Sequence, residues 1–409
     1  MQMKCIGPVL VLSTALSGGG AEAVARLMVQ SIDDAECLLF ENKAGIAITG
    51  HHIQVIPGFT AASLIKKFLV NVRRLIFVQY AKIQSRPRIT ISHLEGPNFT
   101  NLLTCFGGRR IIFVHNQVGQ NYKGSELADK LKAVLVRLLY RRADKVICVS
   151  SDICTELIEK FGVSVDRVDL IPNPIDVNTI IDHSLSTYGD ARDLLGEQHY
   201  LISIASLTPQ KNHALLLRAY DELVRSDPNY SNFKLVLVGD GEERLKLKNL
   251  CSDLGLRTTT HGGNDLDLAA QVFFMGFQSN PFPLLRKANL LVMPSLWEGS
   301  PIALLEAMAL GVPSIVSNCS TGVCDIFESS STKCKQLTND KFVRTPYGVL
   351  VTTSVDANQP ATVSFWADLI NQILTDDLYL DQCRFQAVKR ASQNDLSEVK
   401  NIWKEKIFF

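Results

Sequence analysis

Apolar runs of strand length alternate with amphipathic runs of helix length along most of the chain. The clearest instance is the stretch 289–317, NLLVMPSLWEGSPIALLEAMALGVPSIVS. Residues 289–294 and 313–317 are apolar runs of buried-strand length. Between them Ser300 is expected as N-cap and Pro301 at the first helical position, while Gly311 ends the helix and Pro313 blocks its continuation. Further strands are expected at residues 8–14, 35–40, 53–56, 88–93, 110–114 and 144–150, with helices near 21–31, 62–83, 127–140 and 151–161. Later strands fall at 200–206, 234–238, 272–275 and 348–351, and 361–409 reads as successive helices. This alternation predicts an α/β chain with parallel sheets, whose ligands bind at the carboxyl ends of the strands.

Length divides the picture further. A chain of 409 residues exceeds one ordinary core. The run VDLIPNPID, residues 168–176, breaks regular structure at Pro172, Asn173 and Pro174 and marks a boundary. The expected division is 1–175, 176–390 and a last helix within 391–409. With 46% hydrophobic residues and a net charge of +1, the composition is that of a soluble globular protein, and it argues against disorder or nucleic-acid binding. Charge is uneven: residues 1–180 carry roughly +6 and the remainder roughly −5. Ten cysteines lie scattered without CxxC spacing, which argues against a disulfide framework or zinc site and fits a reducing cytoplasm. Residues 6–16 are interrupted by Pro8 and followed by Gly18-Gly19-Gly20, so they read as a first strand and not as a signal peptide. No apolar run reaches the roughly 18 residues of a membrane span.

Several residues carry candidate chemistry. The helix around Glu306 shows almost no polar face, so this acid is expected to be buried and to need a ligand or an internal donor. The free N–H groups at that helix start favour an anion. Gly18, Gly19 and Gly20 form either a phosphate-approach loop or a tight turn. His115, at a carboxyl strand end, is either a satisfied structural histidine or a site residue. The basic amphipathic stretch with Lys66, Lys67, Arg73, Arg74 and Lys82 fits either an anionic membrane surface or an ordinary surface helix. The turn at 317–322, with Ser320, either approaches a ligand or closes a loop.

The arrangement Glu298-Gly299…Glu306-Ala307-Met308…Gly311-Val312-Pro313 resembles the E-x7-E signature of the GT4 retaining glycosyltransferases (group 1 type). This resemblance implies the GT-B fold: two Rossmann-like domains facing each other across a cleft, with the C-terminal helix crossing back to the N-domain. The N-domain is then the acceptor side, and the C-domain takes the nucleotide sugar, with a UDP-sugar the expected donor. The resemblance assigns Glu298 to the sugar hydroxyls and Glu306 to the ribose. It puts the diphosphate at Lys211 and at Gly299, Ser300, Pro301 and Ile302, and the base at the backbone of Met275 and Gly276. His115 is expected beside the donor sugar, and with Glu298 it is the expected catalytic residue. The Gly18–Gly20 loop faces the same site. The pattern Ser92-x-Leu94-Glu95-x-x-Asn98 resembles an acceptor-side segment of bacterial polysaccharide-assembly transferases, which makes Glu95 and Asn98 acceptor candidates. One departure stands out: the family has Gly–Arg where this chain has Ala205-Ser206, so a diphosphate cation is missing at Ser206.

The reading this supports is sugar transfer to a lipid-linked or polysaccharide acceptor in cell-surface glycan biosynthesis. It implies front-face attack by the acceptor hydroxyl, no cofactor and no metal. The expected location is the cytoplasm at the inner membrane face, with peripheral association with anionic lipid and no nucleic-acid partner. The alternatives are a sugar-nucleotide epimerase of the same fold and a non-catalytic nucleotide-sugar-binding relative, the latter favoured by the missing arginine.

Overall fold

The computed structural model describes Met3 and residues 7–41, 52–56, 64–121, 127–186, 198–261, 267–327, 341–352 and 357–408. The chain forms two compact units, Met1–Pro174 together with Leu396–Phe409, and Ile175–Asp395. The first division falls within the expected 172–176 segment. The return comes at Leu396, a few residues later than the expected 391.

The first unit holds a seven-stranded sheet built of β1 (Val9–Ser13), β2 (Glu36–Leu39), β3 (His52–Val55), β4 (Ile89–His93), β5 (Arg109–Val114), β6 (Lys145–Cys148) and β7 (Val168–Leu170). Its order is β3-β2-β1-β4-β5-β6-β7, and every pairing is parallel. β1 and β4 are buried at all five positions; β1 is apolar up to Ser13, whereas β4 buries Thr90, Ser92 and His93 between its two isoleucines and beyond. Helix α1 (Gly20–Ser31) follows β1, and α2 (Leu64–Ser85) precedes β4.

Two elements depart from expectation here. The acceptor-side segment after β4, for which no regular element was predicted, is a helix, α3 (Glu95–Leu103). Its Asn and Thr residues hid it, because the buried face mixes Asn98, Thr100 and Asn101 with Pro97 and Leu102. The first three residues of the expected linker also pair with β6 as the edge strand β7. The tail returns as the helix Leu396–Trp403 and a last turn, Lys404–Phe408. Val399 and Trp403 are fully buried, and Arg109 Nη1 donates to the Ile407 carbonyl at 3.1 Å.

The second unit carries an eight-stranded sheet of order β10-β11-β9-β8-β12-β13-β15-β14. Its strands are β8 (Tyr200–Ile204), β9 (Lys234–Val238), β10 (Thr258–Thr260), β11 (Val272–Gly276), β12 (Leu290–Met293), β13 (Ser314–Ser317), β14 (Phe342–Thr345) and β15 (Gly348–Val351). Among its described strand pairs, β14–β15 is antiparallel and the others are parallel. The short strands β10 and β14 have no apolar run that announces them. The core packs Leu201, Leu235, Val292 and Ile315 of the sheet against Tyr220, Trp366 and Ile370 of the helices.

The helix in the 289–317 stretch starts one residue late. It spans Ile302–Ala309, with Pro301 as N-cap at ψ 115° and no side-chain cap, so Ser300 is not the cap. Gly311, at φ +68°, closes it as expected. Glu306 is half-buried and partnered, not sealed in. Ala303, Glu306 and Leu310 share one partly open stripe, which hydrophobicity alone did not reveal because two of the three are apolar. Cys37, Cys148, Cys251 and Cys383 are buried as free thiols. The polar stretch 329–339, expected as a mobile loop, lies outside the described residues.

Candidate active site

In each sheet the strand order reverses at one point, and a reversal opens a crevice at the carboxyl ends of the two strands beside it. In the second unit those strands are β8 and β12. The loop after β8 carries Ser206 and Lys211, and the loop after β12 carries Glu298 to Ile302. Topology therefore brings together two motifs that lie 87 positions apart.

Lys211 Nζ reaches Glu298 Oε1 at 2.6 Å and Oε2 at 2.8 Å, and Ser295 Oγ donates to the same Oε1 at 2.7 Å. Glu298 is buried at 4% exposure. A carboxylate this enclosed requires a charge partner, and Lys211 supplies it. The surrounding loop is pinned from three directions. Gln210 Nε2 donates to the Trp297 carbonyl at 2.6 Å, Leu296 N–H donates to the Gln210 carbonyl at 2.8 Å, and Ser320 Oγ donates to the Gly299 carbonyl at 3.2 Å. Ser320 therefore braces the loop while capping its own helix through Val323 N–H. Asn212, in the left-handed conformation at φ 51°, turns the chain from Lys211 into the helix His213–Ser226.

The remaining expected residues of this unit divide clearly. Gly299, Ser300, Pro301 and Ile302 line the buried approach to the helix start. Ser206 is exposed and offers a hydroxyl where the family pattern has a guanidinium. Met275 is buried, and its carbonyl accepts from Gln278 Nε2 at 2.6 Å. Gly276 takes φ +64° at a bulge in β11, and its carbonyl accepts from Gly239 N–H at 2.8 Å. Gly239 must be glycine: at φ +132° an added Cβ would stand 2.0 Å from the Ala205 carbonyl oxygen. That close approach seats the β9 turn against the β8 loop.

In the first unit the reversal lies between β1 and β4. Gly18 (φ +124°) follows β1, Gly19 is the N-cap of α1 and Gly20 is its first residue. A Cβ on Gly19 would meet Glu22 Oε2 at 2.7 Å, so the loop carries its own carboxylate in the first turn of α1. After β4 comes Leu94, at φ 71° and ψ 161°, a backbone region left almost entirely to glycine. It turns the chain directly into α3 and sets half-buried Glu95 in the first turn.

Asn98 does not serve the acceptor role expected of it. It is 1% exposed, its Oδ1 accepts from Ser92 Oγ at 2.7 Å, and its Nδ2 donates to the Phe113 carbonyl at 2.9 Å. Both ends of the amide brace β4 and β5. Asn101 continues this network and accepts from Lys82 Nζ at 2.8 Å. Lys82, grouped by sequence with the basic face of α2, is fully buried, and burial pushes its ammonium down to about 7.

His115 follows β5 and retains 8% exposure. Its Nε2 lies 3.1 Å from Nδ1 of His93, the last residue of β4. Burial pushes His115 down to about 4 and holds His93 well below the ordinary histidine value. His93 drew no attention in the sequence, because nothing in spacing shows that adjacent parallel strands bring residues 93 and 115 together.

The outer face of α2 shows a stripe of exposed apolar side chains, Leu69, Ile76, Tyr80 and Ile83, with Arg73 in the same row. Gln79 bonds both ways to the backbone of Cys105, which holds the loop bearing exposed Phe106 beside α2. Among the described residues no helix is long and apolar enough to cross a membrane, and no cluster of metal-ligand residues is found.

Comparison with known proteins agrees with this geometry. The family model for Glycosyltransferase Family 4 matches residues 18–179, and that for Glycosyl transferases group 1 matches residues 190–334. The chain is 27% identical over 310 residues to an uncharacterized glycosyltransferase of Methanocaldococcus jannaschii, covering 73% of this chain and 69% of that one. It is 24% identical over 323 residues to the N-acetylgalactosamine-N,N'-diacetylbacillosaminyl-diphospho-undecaprenol 4-alpha-N-acetylgalactosaminyltransferase of Campylobacter jejuni, covering 76% and 81%. Among solved structures, Anabaena HepE in complex with UDP-glucose superposes over 98% of this chain and 99% of its own, at 19% identity and a TM-score of 0.71. The two family models fall on the two structural units in turn, and the chain belongs to the GT-B glycosyltransferases of family 4, group 1.

Proposed function

We propose that this enzyme is a retaining glycosyltransferase that moves a sugar from a UDP-sugar to a lipid-linked acceptor in cell-surface glycan assembly. The observation that carries the reading is the Lys211–Glu298 pair at the strand reversal of the second unit. A donor diphosphate can take Lys211 from Glu298, and Glu298 then turns its oxygens to sugar hydroxyls. The leaving nucleoside diphosphate needs its growing negative charge met by fixed donors, and Lys211 with the N–H groups at Ile302 supplies them. Glu306, on the partly open stripe of the same helix, takes the ribose hydroxyls. This charge arrangement works without a metal, and attack by the acceptor hydroxyl from the leaving-group face needs no protein nucleophile. His115, the Gly18–Gly20 loop and Glu95 belong to the sugar and acceptor side. UDP is favoured as carrier because HepE holds UDP-glucose on this fold, and a polyprenyl diphosphate acceptor because the Campylobacter relative is named for one.

The apolar and basic face of α2 would place the enzyme on an anionic bilayer, where such an acceptor resides. The test uses a panel of nucleotide sugars, with UDP release followed with and without a lipid-linked acceptor fraction, and with and without EDTA. Release that depends on acceptor and survives EDTA is expected. Titration calorimetry of Glu306→Ala should show donor binding lost; unchanged binding would remove Glu306 from the site.

A further inference from the structure

His93 and His115 form a buried pair whose protons the contacts assign. The two rings lie 25° from parallel, and Phe113 stacks on His93 at 4.5 Å between centroids. At 3.1 Å, one of the two facing nitrogens must carry the hydrogen and the other must accept it. His93 Nε2 is buried and meets no hydrogen-bond partner. A proton there would strand a buried N–H, whereas an imidazole lone pair is the less costly group to leave unmet. The His93 proton therefore sits on Nδ1 and is donated to His115 Nε2. With Nε2 accepting, the neutral ring of His115 carries its own proton on Nδ1. No described group bonds that nitrogen, and it is not among the sealed, unpartnered atoms. A second proton would either set N–H against N–H at His115 Nε2 or leave a charged ring with a buried, unpartnered N–H at His93 Nε2, and burial disfavours both. The strained backbone of Leu94, the next residue after His93, marks this turn as a place where the fold holds an unfavourable geometry.

We propose that His93 is a positioning residue that sets His115 as its Nδ1–H tautomer, so that His115 presents a neutral hydrogen-bond donor to a substrate oxygen at the carboxyl end of β5. The proposal rests on the reading of His115 as a substrate-side residue under the proposed function. Long-range proton–nitrogen NMR of the full-length, 15N-histidine-labelled protein reads the tautomer of each ring directly. Both rings should be neutral from pH 5 to 8, and both should be Nδ1–H. His93→Phe keeps the stack on Phe113 but removes the donor. It should let His115 shift toward Nε2–H and lower kcat by about tenfold or more. His93→Asn, whose amide N–H stands near the position of Nδ1, should keep His115 as Nδ1–H and stay within about threefold of the parent rate. An Nε2–H His115 in the unaltered protein overturns the proposal, and so does His93→Phe with parental kcat and an unchanged tautomer. Where His93→Phe fails to fold, His93→Asn decides: loss of either the tautomer or the rate overturns it. The tautomer is measured on the free protein. A correct tautomer with no donor turnover would therefore fault the assigned reaction and not the pair.

Discussion

Lys211 and Glu298 satisfy each other in the free protein, so either one alone is a liability. Lys211→Ala leaves a buried carboxylate unpaired and should cost about 3 kcal/mol in stability, because breaking a buried pair costs more than the pair contributes. The double variant Lys211→Met with Glu298→Gln should recover much of that stability in urea denaturation. It should still lose at least about 100-fold in turnover, since the cation that meets the leaving group is gone. Recovery of turnover along with stability would show the pair to be structural only. A second expectation concerns acid. His93, His115 and His213 are all held below the ordinary value of 6.5 by burial. The unfolded chain binds protons that the folded chain refuses, so stability is full above about pH 6.5 and falls as pH drops toward 4. The slope is up to about 1.4 kcal/mol per pH unit for each ring. Urea midpoints that do not change between pH 7.5 and 4.5 would contradict this. At this scale the sequence named Lys211, Glu298 and His115 by resemblance. It did not show that Lys82 and Asn98 are buried, because a polar residue on a helix looks the same whether it faces water or an inner amide network.

Among the elements, the β9 turn decides how closely the second unit's loops pack. Gly239→Ala should destabilise by more than about 3 kcal/mol, because both φ +132° and a backbone oxygen 2.0 Å from the new Cβ oppose it. Gly255 makes a control: its φ is +72°, but nothing lies within 4 Å of an added Cβ, so Gly255→Ala should cost only about 1–2 kcal/mol. Equal costs in thermal denaturation would show that backbone conformation, not the close approach, governs the turn. Most strands and long helices were legible as apolar periods. α3 was not, since Asn98, Thr100 and Asn101 interrupt the apolar pattern of its inner face. β7 was not, since three residues before a proline-rich stretch carry too little pattern. The start of the helix Ile302–Ala309 was missed by one residue, because a proline suits either the cap or the first turn, and only its ψ of 115° decides between them.

For the whole molecule, the last helix is a tie within the first unit and not an appendage. Trp403 is fully buried there, so Trp403→Ala should cost about 3–5 kcal/mol and lower the melting temperature of that unit. An unchanged melting curve would mean the tail contributes nothing to it. The face of α2 makes a separate prediction. The protein should sediment with vesicles containing phosphatidylglycerol and not with pure phosphatidylcholine, and binding should weaken as salt rises above roughly 0.3 M. Replacing Leu69, Ile76 and Tyr80 together by Ser should reduce vesicle binding by about tenfold or more while leaving acceptor-free donor binding intact. Binding that ignores lipid charge, or survives the triple change, would assign that face to something else.

The alternation of apolar runs determined largely parallel α/β sheets, because strands covered on both faces are mostly apolar and crossover helices are amphipathic. The boundary near residues 172–176 followed from proline, which neither strand nor helix accepts in its interior. Spacing within one loop and one helix placed Glu298 before Glu306. Tertiary structure alone decided which loops meet. Strand order is a matter of pairing between distant segments: the β8/β12 reversal brings Lys211 to Glu298 across 87 positions, and the parallel β4–β5 pair brings His93 to His115 across 22. It also decided the depth of each polar side chain, and with it the charge that Glu298 needs and the proton that His115 carries.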